Sequence, residues 1–145
     1  MAHLREMVPK SYRNIKEEQT MILIRCITAY TALLALSEQS MPYDTALAIV
    51  LLKKRLAAHT EFYAAKEREL IETYSKRDDN GEIVMDGPGR FVLDPDKDIA
   101  EYNRLKRELA STEVPEEFEP VKVSCPDKIS PAHIEALEGF MEFKI

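Results

Sequence analysis

Ile49, Leu56, Tyr63 and Leu70 recur every seven residues, with Leu52 and His59 three places on from the first two. An apolar repeat sustained over about four heptads predicts a long helix with one buried seam. The helix runs from about Tyr43 to Ser75, behind the break Ser40-Met41-Pro42. Proline is tolerated in a first helical turn and disfavours a helical residue before it. At the other end stands Lys76-Arg77-Asp78-Asp79-Asn80-Gly81. Basic side chains suit the negative end of the helix dipole, and glycine suits the left-handed stop. At 1.5 Å per residue the rod is about 45–50 Å long, more than the diameter of a small domain. Its seam has to meet an antiparallel neighbour in this chain or a second copy of itself.

The neighbour within the chain is the segment Thr20–Gln39, with Met21, Ile22, Leu23, Ile24, Cys26, Ile27, Ala29, Leu33, Leu34 and Leu36. Its Ala/Leu-rich second half predicts a helix. Its first half, Met21–Ile27, has the β-branched content of a strand, but no turn residue separates the halves, so one helix is expected. A segment apolar on nearly every side must be covered all round, by this chain or by another. Residues 1–19 carry Pro9 and mixed charges without a period, which predicts an arm ahead of a single domain, 20–145.

Downstream, Ile83–Met85 and Phe91–Leu93 flank Asp86-Gly87-Pro88-Gly89, a β-hairpin pattern. Asp94-Pro95 is a cap-plus-proline signal for a third helix to about Ser111. Val114-Pro115-Glu116-Glu117 reads as a linker, and the alternation Val121–Cys125 as a third strand. Ser130-Pro131 repeats the cap signal before a last helix carrying Ile134, Leu137, Phe140 and Met141. The expected fold is α+β and mainly α: a long antiparallel helical hairpin, a small three-stranded sheet from 82–93 and 120–125, and two shorter helices.

Composition narrows the function classes. A hydrophobic share of 45% beside 32% charged residues is globular rather than disordered. The net charge of −6 repels phosphate backbones and argues against nucleic-acid binding. The apolar stretch Met21–Leu36 is short of the ~20 residues that span a bilayer and contains Arg25. Residues 1–19 have no apolar core of a secretory signal, so a cytoplasmic protein is expected. Cys26 and Cys125 lack metal or disulfide-framework spacing.

No motif carries catalysis. Asp78 and Asn80 precede Gly81 as in a calcium loop, but the closing glutamate position holds Gly87. No second histidine or cysteine lies one helical turn from His3, His59 or His133, and no G-x-S-x-G elbow or phosphate-cradling glycine loop occurs. Neither metal nor cofactor is expected, and no enzyme.

From Ala29 onward the layout resembles a family of small uncharacterised proteins of phages and prophages of Gram-positive bacteria. The resemblance lies in Ala32-Leu33-Leu34-Ala35-Leu36 before the break, and in Ala46-Leu47-Ala48-Ile49 opening a charged helix that ends Glu69-Leu70-Ile71-Glu72-Thr73-Tyr74. It continues through Asp79-Asn80-Gly81, the Val121-Lys122-Val123 strand and Ser130-Pro131 with Leu137, Phe140 and Met141. It implies a phage-encoded accessory protein and brings no catalytic residues. The expected role is contact with protein, as a virion or assembly component in the host cytoplasm. Partners would be a second copy, another phage protein or a host protein, met through Ile22, Ile24, Ile27, Ile49, Leu56 and Tyr63. The alternative is an acidic inhibitor or regulator of a host protein such as a defence nuclease.

Overall fold

The structure, a computed structural model, describes residues 20–144. The arm expected over 1–19 therefore lies outside the described residues. Helix α1 is Leu23–Leu36. Met21 and Ile22 are extended ahead of it: Leu23 N–H donates to Thr112 O, and Val114 N–H to Met21 O, both at 2.8 Å. Ile22 forms an antiparallel bridge with Glu113. The β-branched start thus serves as a short pairing strip before the helix begins.

Residues 37–42 turn the chain into α2, Tyr43–Tyr74, 32 residues long. It buries Thr45, Ile49, Leu52 and Leu56 at helical spacing. Ile49, Leu52 and Leu56 meet Cys26, Ala29, Leu33 and Leu36 of α1 in one core. The seven-residue seam of α2 is therefore used inside the chain, in a helical hairpin.

Beyond α2, residues 75–93 fold back on themselves. Lys76 N–H donates to Val92 O, Val84 N–H to Lys76 O, and Val92 N–H to Val84 O, at 2.8–3.0 Å. The pairing stays at the single bridges Ser75↔Leu93, Arg77↔Ile83 and Met85↔Phe91. The turn falls where expected, but the three-stranded sheet with a hairpin over 82–93 does not form. The arms are at the short end of strand length, and a small hairpin without a further sheet to extend it is marginal in water.

Helix α3 is Ile99–Ala110. Asp98 caps it, its Oδ1 accepting from Glu101 N–H at 3.0 Å. The cap signal at Asp94-Pro95 is spent instead on a turn, in which Asp96 N–H donates to Asp94 Oδ1 and Lys97 N–H to Asp94 O. Tyr102 of α3 is buried against Tyr74, ring centroids 5.6 Å apart, and meets the edge of Phe91.

The sheet lies elsewhere. Strand β1, Val121–Ser124, pairs in parallel with β2, Met141–Lys144, in the register Val121↔Met141 and Val123↔Phe143. The crossover contains α4, Pro131–Ala136, capped by Ser130. The last helix expected to run through Phe140 and Met141 stops at Ala136. Gly139 takes φ +87°, a left-handed conformation that side chains disfavour. The reversal drives Phe140 into the core and starts β2 at Met141. The Arg25 guanidinium donates to Glu138 O and stands 6.0 Å over the Phe140 ring.

Two side chains fasten this C-terminal unit to the start of α2. Thr45 Oγ1 donates to Ser124 O at 2.5 Å. The Asp44 carboxylate accepts from Ser124 N–H at 2.9 Å and from its hydroxyl at 3.0 Å. Among the described residues no helix is long and apolar enough to cross a membrane.

Candidate interaction face

Helix α2 carries two stripes. Advancing 100° per residue, Tyr43, Leu47, Val50, Lys54, Ala58, Glu61 and Ala65 fall opposite Thr45, Ile49, Leu52 and Leu56. All seven are exposed. Tyr43 is 80% exposed, Leu51 52%, Val50 47%, Phe62 47% and Leu47 43%. Leu51 and Phe62 flank the stripe on one side. Large apolar side chains gathered on one exposed helix face are what a contact surface presents to a partner.

The candidate residues read from the sequence fall elsewhere. Ile49 and Leu56 are buried in the core, 2% and 0% exposed. Tyr63 is half-buried and packs against that core. Ile22 is half-buried in its bridge to Glu113, while Ile24 and Ile27 are half-buried on α1. The outer stripe was hidden because Leu47, Val50 and Leu51 interleave with Ile49 and Leu52. A signal existed: the first half of α2 is apolar on both sides, and α1 can cover only one.

A polar cluster joins α2 to the segment after α3. Arg55 Nε and Nη2 reach Glu116 Oε2 at 2.9 and 2.8 Å, and His59 Nε2 lies 2.9 Å from Oε1. Arg55 also donates to Glu117 O at 3.0 Å and stacks 4.4 Å over the Phe118 ring. Burial raises the Glu116 pKa, but the hydrogen bonds from His59 and Arg55 outweigh it and leave a carboxyl below its usual range. With both oxygens engaged and its basicity lowered, Glu116 is a poor general base. The nearby Cys26 thiol is pushed up to about 11, chiefly by burial, so it is a protonated thiol at neutral pH and a weak nucleophile.

The acidic turn is also structural. Asp78 Oδ1 accepts from Asn80 N–H and Glu82 N–H, both at 2.9 Å, closing the reversal after α2. Among the described residues no three His, Cys, Asp or Glu side chains are grouped to hold a metal ion. A shallow groove lies beside α4 and β2, with Ile134, Met141 and Phe143 in its walls and Glu135, Glu138 and Glu142 lining it as well. No family model, curated protein or solved structure matches the chain.

Proposed function

We propose that this protein works by contact with protein, as a phage- or prophage-borne accessory protein in assembly, and has no catalytic centre of its own. The observation that carries the reading is the outer face of α2, where Tyr43, Leu47 and Val50 of the stripe and Leu51 and Phe62 on its flank are all exposed. Roughly 25 cal/mol per Å² of apolar surface removed from water makes such a face costly to leave open and favourable to cover. The polar groups closest to a catalytic arrangement support it too, since Arg55, His59 and Glu116 are spent on one another.

Affinity capture from phage-bearing cells, with the native chain and with Leu47→Asp, tests this. Capsid, tail or self partners that survive high salt and vanish with Leu47→Asp support it. Capture unchanged by that substitution would remove the outer face from the function. The glutamates along the α4–β2 groove, with the net charge of −6, favour a second reading as an inhibitor of a basic host protein. In that case the captured partner is a nucleic-acid enzyme released by salt.

A further inference from the structure

We infer that the occupant of the outer face is a second copy of this chain, laid antiparallel about a two-fold axis between Ala57 and Ala58. The inference rests on the contact reading above and names its partner.

The order of residues along the stripe is self-complementary in one direction only. From the N-terminal end come Tyr43, Leu47, Val50 and Lys54. Past the two alanines come Glu61, Ala65, Arg68 and Glu72, at the same alternation of threes and fours. Every one of these eight is exposed. Reversed about the alanine pair, Lys54 of one copy meets Glu61 of the other, twice by symmetry. Val50 meets Ala65, so a large side chain faces a small one. Leu47 meets the aliphatic stem of Arg68, and Tyr43 lies by Glu72. Leu51 and Phe62 share one flank of each helix. The two-fold brings Leu51 of one copy beside Phe62 of the other. The small side chains of Ala57 and Ala58 leave room at the crossing for the helices to approach closely.

A parallel copy would set Lys54 against Lys54 and Glu61 against Glu61, which like-charge repulsion opposes. The antiparallel contact uses the same patch on both copies and closes on itself, so assembly stops at two. Arg55, on the edge of the stripe, is already held by Glu116 and stays out of the pairing.

Sedimentation equilibrium of the full chain at about 100 μM, where a micromolar dimer is nearly saturated, should give twice the 16.6 kDa chain mass. Lys54→Glu alone and Glu61→Lys alone should each weaken the dimer by about tenfold or more, from introduced like-charge pairs. The double reversal should recover it. Ala58→Cys in a Cys125→Ser background should form a disulfide dimer without reductant, whereas Lys122→Cys, also exposed, in the same background should not. Circular dichroism identical to the native chain shows that these surface variants fold. A chain mass that stays single, or a dimer indifferent to both charge reversals, overturns the self-pairing. If the chain is single but Leu47→Asp still abolishes capture of another protein, the self-pairing falls and the contact reading stands. If the chain is single and capture also ignores Leu47→Asp, the self-pairing falls and the outer face has no part in the contact.

Discussion

His59 and Glu116, 57 residues apart in sequence, meet at 2.9 Å across the gap between α2 and the segment that follows α3. Arg55 completes the clamp from one helical turn earlier. The folded state holds the Glu116 carboxyl below its usual range, so its contribution to stability is present above the unfolded glutamate pKa of about 4.3. It is lost as pH falls through the lowered folded value. Glu116→Gln should therefore be less stable than the native chain at pH 7. The gap should close as denaturation midpoints are followed below about pH 4. A gap that persists unchanged at low pH would show that the charge of Glu116 is not what holds the segment.

The two stripes of α2 should respond oppositely to truncation. Leu56 is fully buried, and Leu56→Ala should cost about 3 kcal/mol in urea unfolding, the usual size of a leucine cavity. Leu51 stands five residues earlier on the other side, and Leu51→Ala should lose no more than about 0.5 kcal/mol in the monomer. Equal losses would mean that the outer face is packed after all.

Thr45 is buried, and its hydroxyl donates to the Ser124 carbonyl. Thr45→Val keeps the volume and removes the donor. It should cost about 1–2 kcal/mol, the penalty of stranding a buried acceptor. Amide exchange at Val123 and Phe143 should speed up in that variant before exchange within α1 does. Uniform acceleration across the molecule would instead mark global destabilisation.

The two thiols should separate cleanly under alkylation. Cys26 is wholly buried with its pKa near 11, and Cys125 is exposed. A thiol reagent at pH 8 should label Cys125 in the native chain and both cysteines after denaturation. Native labelling of Cys26 at a comparable rate would mean that α1 opens readily.

Local signals carried the helices well. Pro42 fixed the start of α2, and the repeat of Ile49, Leu56 and Tyr63 showed which side of it turns inward. What the sequence left open depends on pairing between distant segments. Phe140 and Met141 continue the helical spacing of Ile134 and Leu137, and only the reversal at Gly139 and the partner strand Val121–Ser124 make Met141 a strand residue. Asp94 and Asp98 are both competent caps, and the choice between them falls to where Tyr102 can reach Tyr74. The outer stripe was the hardest to see. Periodicity reports that Leu47 and Ile49 sit on different faces, but not which one the rest of the chain covers.

The strip at Met21–Leu23 bonded to Thr112–Val114 ties together points roughly 90 residues apart. Closing a loop of that size is entropically expensive, while α1 and α2 meet across a short link. The consequence is an order of assembly. The helical hairpin can form early from nearby contacts, and the clasp at its base shuts only once α3 has come home. Until then Ile22 lacks its partner Glu113, and the newly made chain is at its most vulnerable to wrong company.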